Sequence, residues 1–242
     1  MKFNRFALAA ALAVASLGAQ AATVTLSNIT GAWSNAIGAT TTIAGSGTAA
    51  PTARWGGDAG LGQSGYNFSA VGSASVDVPP DSPLFSIGTF EHVNFPVFPP
   101  SITGIDLTIS ALITVDTTNV GVRSFVFRFT HEETTNTPPG QDPCPYGGAN
   151  LQGVNINGCA DRVTVTGLDT SESFAIGGTD YTVTLAGFQV GGVFQSAFLT
   201  QEQVINTANL MAQVTTTVPE PGSLALVGLS LLGLAAARRR NA

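Results

Sequence analysis

Two histidines in this 242-residue chain are the side chains best placed to do chemistry, and their settings are alike. His92 lies in Gly88-Thr89-Phe90-Glu91-His92-Val93-Asn94-Phe95-Pro96, and His131 in Phe129-Thr130-His131-Glu132-Glu133-Thr134-Thr135-Asn136. His131 and Glu133 continue the parity of Phe125, Phe127 and Phe129. On an unbroken strand they point to the core side, at its rim. A half-buried imidazole beside a carboxylate needs hydrogen-bond partners. Three kinds of chemistry are open to a cluster of His92, Asn94, His131, Glu133 and Asn136. The plainest is a structural hydrogen-bond network that pins the loops after two neighbouring strands, with no catalytic residue, metal or cofactor. A second is a metal site of His92, His131 and Glu133, should they converge; oxygen-rich loops suit Ca²⁺ instead. The third, acid–base catalysis, requires a nucleophile or a second carboxylate within reach, and the sequence identifies none. No Gly-x-Ser-x-Gly elbow is present either. We therefore read the protein as non-enzymatic.

Cys144 and Cys159 are the only cysteines and lie 15 apart. In an exported chain such a pair most simply forms one disulfide. Neither sits in a Cys-x-x-Cys pair and no histidine is near, so a zinc site on the thiols is disfavoured. Trp33, Trp55, Tyr66 and Tyr146 are read as core or loop anchors, with a glycan-facing role as the alternative.

These residues are positioned by strands. Ile105, Leu107, Ile109, Ala111, Ile113 and Val115 alternate with polar neighbours, and Phe125, Phe127 and Phe129 share one face. Val24 and Leu26, Val163 and Val165, and Tyr181, Val183 and Leu185 repeat the pattern among threonines. Gly- and Pro-rich gaps fall at Gly38 to Gly62, Val78 to Asp81, Phe98 to Pro100 and Thr137 to Gly148. The stretch Gln201 to Met211 is the one place read as a short helix or turn. The expected class is all-β: a single antiparallel β-sandwich or jelly roll.

Both ends are processing segments. Lys2 and Arg5, the apolar Phe6 to Leu17 and Ala19-Gln20-Ala21 form a secretory signal peptide over residues 1–21. At the other end, residues 218–242 contain Pro219-Glu220-Pro221, an uncharged run from Ser223 to Ala237, and Arg238-Arg239-Arg240. The run is shorter than the ~20 apolar residues that span a bilayer, and the arginines suit its cytoplasmic end. Between them, residues 22–217 are long enough to bury one core. This body keeps four arginines, no lysine and 14 of the 15 acidic residues, a net charge near −10. A nucleic-acid partner is excluded on that charge.

The tail resembles the PEP-CTERM sorting signal of Gram-negative bacteria, on Pro219, Glu220, Pro221, the Leu/Ala/Gly run and Arg238 to Arg240. That resemblance implies export, a transient inner-membrane anchor through a C-terminal transmembrane helix, processing by an exosortase, and a cell-surface or extracellular destination. The body resembles the THxN family, close to the choice-of-anchor K domains. The resemblance lies on Phe90 to Pro96, Phe127 to Asn136, Asn157-Gly158-Cys159-Ala160-Asp161, Arg54-Trp55-Gly56, Gln63 to Phe68, and Thr200-Gln201-Glu202-Gln203 to Ala208. Glu91 stands where that family has Thr, and Thr135 where Pro is usual. No assigned activity comes with the family. The expected function is an exported, non-enzymatic surface or matrix protein associated with exopolysaccharide in a biofilm. The alternatives are a glycan- or Ca²⁺-binding adhesion module and, behind it, a secreted hydrolase.

Overall fold

The computed structural model describes residues 21–78, 81–135, 141–170 and 173–217. Asn136, the signal peptide up to Gln20, and the tail with Pro219, Glu220, Pro221 and Arg238 to Arg240 lie outside these residues. The described chain is all-β. Its strands are β1 (Ala22–Ile37), β2 (Thr41–Ala44), β3 (Thr52–Trp55), β4 (Gly57–Asp58), β5 (Ser64–Ala70), β6 (Ser73–Val78), β7 (Phe85–Asn94) and β8 (Val97–Phe98). They continue as β9 (Gly104–Val115), β10 (Thr118–Glu132), β11 (Asp161–Thr170), β12 (Ser173–Ile176), β13 (Thr179–Val190), β14 (Val193–Gln195), β15 (Ala197–Thr200) and β16 (Val204–Thr217). One antiparallel sheet has the order β15-β11-β10-β9-β1-β6, and the other β12-β13-β16-β7-β5-β3-β2.

Alternation decides which faces meet. In β9, Ile105, Leu107, Ile109, Ala111, Ile113 and Val115 are all buried, and Phe125, Phe127 and Phe129 of β10 join them. From the other sheet come Tyr66, Phe68, Phe90, Val183, Leu185, Leu210 and Val214, all in the same core. Phe90 stacks on Phe129 across the two sheets, with centroids 5.2 Å apart and planes 3° from parallel. In β1 the parity changes midway. Val24 and Leu26 are buried at even positions, but Ile29 and Trp33 at odd ones. The change falls at a register shift between Ser27 and Thr30, where Asn28 has φ 51°. A bulge moves the following side chains to the opposite face, and asparagine tolerates the left-handed backbone it needs.

Two expectations are corrected. Of the short helix or turn expected over Gln201 to Met211, the turn is present at Glu202–Gln203, but the rest is strand: β16, hydrogen-bonded to β13 on one side and β7 on the other. Leu210, Ala212 and Val214 bury one face of it, a period of two that outweighs the helix propensity of Met and Leu. The Gly38 to Gly62 gap contains β2, β3 and β4, whose shortness and few apolar residues hide their alternation.

On the outer face of the first sheet, Asp106 is almost fully buried between Arg128 and Asn35. The Arg128 hydrogen bond, helped by Asn35, holds its carboxyl below the usual range against the opposing effect of burial. A depressed carboxyl pKa gives stability that is present above the unfolded value of about 4 and is lost as pH falls through the folded value. Arg128 is half exposed, so solvent screening limits the pair to about 1 kcal/mol. Asp106→Asn is expected to unfold earlier than the parent at neutral pH, with the two denaturation curves converging in acid. Curves separated equally at all pH values count against this.

Candidate functional site

The aromatic core turns polar at one end, between the two sheets. Two residues beyond Phe90 on β7 is His92, and two beyond Phe129 on β10 is His131. The same alternation that buries the phenyl rings carries both imidazoles inward. The rings meet edge to face, 5.1 Å between centroids and 89° between planes. Trp55 of β3 stacks on His92 at 6.0 Å, and Tyr66 of β5 lies 5.1 Å from it. Cross-strand register places Tyr66 directly opposite His92.

Each ring is fixed by hydrogen bonds. Tyr66 Oη lies 2.6 Å from His131 Nδ1, and Glu133 Oε2 lies 3.1 Å from His131 Nε2. A carboxylate only accepts, so Nε2 carries the proton and Tyr66 donates to Nδ1. His92 Nδ1 lies 2.8 Å from Thr200 Oγ1. Its Nε2 has only a 3.5 Å contact to Ser64 Oγ, whose hydroxyl already donates to the Val93 carbonyl at 2.8 Å.

Asp161 opens β11 next to β10, opposite Thr200 of β15. Its Oδ1 accepts from the Thr134 amide at 2.6 Å, while Oδ2 makes no hydrogen bond and lies 4.0 Å from His131 Nε2. Glu202, in the turn before β16, accepts from Asn94 Nδ2 at 3.1 Å. Asn94 Nδ2 also reaches the Thr200 carbonyl at 3.1 Å, and its own Oδ1 is without a partner. Glu133 sits at the mouth, a quarter exposed, and accepts from Ser101 Oγ at 2.7 Å. His92, His131, Asp161 and Glu202 are buried.

Burial sets the charge states. It pushes the His92 imidazole well below its usual pKa, with His131 adding to the effect. It pushes the Asp161 carboxyl well above the carboxylate range, with Glu133 and Glu202 adding repulsion. Tyr66 is raised well above the phenol range by burial and by the Asp161 and Glu133 charges.

The structure thus joins His92, Asn94, His131 and Glu133. The donor set differs from His92, His131 and Glu133 alone: Asp161 brings an oxygen within 4.8 Å of a nitrogen from each imidazole, and a second triad joins Glu133, Asp161 and Glu202 on the same limit. Spacing in the chain does not point to Asp161 or Glu202, which arrive on β11 and on the turn before β16 through long-range pairing. Trp33, Trp55 and Tyr66 are core residues.

The disulfide Cys144–Cys159 closes a loop beside this end, and the Cys159 carbonyl accepts from Thr134 Oγ1. Outside it, Tyr146, Arg162 and Phe194 line a surface groove, with the Arg162 guanidinium 4.4 Å from the Tyr146 ring centroid and also paired with Glu132.

None of the curated proteins compared matches this chain. Residues 217–240 do match the PEP-CTERM protein-sorting motif, which follows directly on β16. That match gives the chain a PEP-CTERM sorting motif, which implies processing by an exosortase and export to the cell surface or the exterior.

Proposed function

We propose that the protein is a non-enzymatic surface or matrix component of a Gram-negative, biofilm-forming bacterium, delivered through a membrane-anchored intermediate and associated with exopolysaccharide. The sorting motif at 217–240 carries this reading. The body supplies what such a component needs: two sheets over one core, read as a β-sandwich of THxN type, with a disulfide suited to an oxidising exterior. The groove of Tyr146, Arg162 and Phe194 supports the exopolysaccharide association, because it offers sugar faces two exposed or half-exposed rings beside a charged pair.

Deletion of Pro219 to Ala242 is expected to move the protein from the surface or matrix fraction to the soluble periplasmic or secreted fraction. Fractionation and immunoblotting of the parent and the truncated chain read it directly. Identical distribution of the two would sink the sorting route.

A further inference from the structure

We propose that His92, His131 and Asp161, with Glu133 and Glu202 behind them, bind one divalent first-row transition ion of the Zn²⁺ class. The proposal stands apart from the sorting route and concerns the interior of the body alone.

The first support is donor chemistry. Two imidazoles and a carboxylate converge with one donor atom each inside 4.8 Å, and two further carboxylates adjoin the third member. Imidazole with carboxylate suits Zn²⁺ and its neighbours, whereas Ca²⁺ and Mg²⁺ take oxygen almost exclusively. Zinc bonds of about 2 Å place tetrahedral ligands about 3.3 Å apart. The 4.0 Å contact from His131 Nε2 to Asp161 Oδ2 already approaches that spacing, and side-chain rotation closes the remainder.

The second support is an unanswered polar atom. Asp161 Oδ2 is wholly buried, faces His131 and has no hydrogen-bond partner. A buried carboxylate oxygen without a partner costs several kcal/mol unless a proton or a cation meets it. The body has no lysine to do so. Its arginines are engaged elsewhere: Arg128 by Asp106, Arg162 by Glu132, and Arg54 by Asn67 and the Tyr66 carbonyl. Arg123 stands eight residues before His131 on β10, about 26 Å away at ~3.3 Å per residue.

The third support is the shell behind the donors. Tyr66 holds His131 through Nδ1, Thr200 holds His92, and the Thr134 amide holds Asp161 by Oδ1 so that Oδ2 is the oxygen presented. Partners of this kind orient metal ligands and fix the imidazole tautomer. Ion entry requires the proton on His131 Nε2 to pass by way of solvent to Nδ1, with no net release; Nδ1–H then donates a hydrogen bond to Tyr66 Oη, whose own hydrogen turns away from the ring. Glu133 and Ser101 stand at the opening to solvent.

The test uses the exported chain, stripped with EDTA and then titrated separately with ZnCl₂, CaCl₂ and MgCl₂. Metal content and thermal midpoint are read at each step. One Zn²⁺ per chain and a midpoint raised by several degrees with Zn²⁺, but not with Ca²⁺ or Mg²⁺, are expected. Asp161→Asn keeps the oxygen that the Thr134 amide uses but removes the charge. It is expected to weaken Zn²⁺ binding by more than about 100-fold, beyond the loss from removing a residue behind a ligand. Stripped of metal, it should melt no lower than the stripped parent. Should this variant fail to fold, Glu133→Gln at the mouth decides, with about tenfold weaker binding expected. No response to Zn²⁺, a response to Ca²⁺ instead, or full Zn²⁺ affinity in whichever variant folds overturns the proposal.

Discussion

Phe90→Ala is expected to cost about 4 kcal/mol of stability. Phe90 is fully buried, and its ring contacts those of Trp33, Tyr66, Phe129, Phe188 and Phe198. These rings come from both sheets, so no neighbour on one strand can move in to fill the space. The loss combines the transfer of the phenyl group with an uncollapsed cavity, and for buried Phe→Ala changes that total runs at about 3–5 kcal/mol. Guanidinium denaturation of the parent and variant reads it, as a lower midpoint with an unchanged slope. Phe194→Ala is the control: that ring is 44 % exposed, and its removal should change stability by less than about 0.5 kcal/mol. Equal effects of the two substitutions would mean that the Phe90 cluster does not hold the sheets together.

The disulfide comes second. Replacing Cys144 and Cys159 together by serine is expected to cost about 3 kcal/mol, from restored freedom of a loop with a sequence separation of 15 in the unfolded chain. For a body of this size that is a fall of about 6–12 °C in thermal midpoint. The consequence is also local, because the Cys159 carbonyl holds Thr134, and Thr134 holds Asp161. The double variant should therefore melt with the parent in the presence of reductant, and below the parent without it. A variant that melts with the oxidised parent would show that the bridge adds nothing.

How much of this was legible in the chain depended on the range of the interaction. β9 and β10 announce themselves, because six alternating aliphatics and three alternating phenylalanines need a single apolar face. β16 does not, since its first half carries Asn206, Thr207 and Asn209 and its buried residues begin only at Ala208. The site follows the same rule. Strand parity sends His131 inward from Phe129, and His92 from Phe90. It cannot say that β11 delivers Asp161 beside His131, or that the turn before β16 brings Glu202 to Asn94, because those meetings depend on pairings between distant segments. The body also holds 14 acidic residues, so their type alone did not single out Asp161 and Glu202.

The last described strand has one more consequence. β16 runs to Thr217 beside β13, its pairing with β7 ending at Ala212, and the sorting motif begins at Thr217 itself. Force applied along the axis of β16 would load its ladders to β13 and β7 in shear rather than open them one by one. The globule resists traction at its exit point.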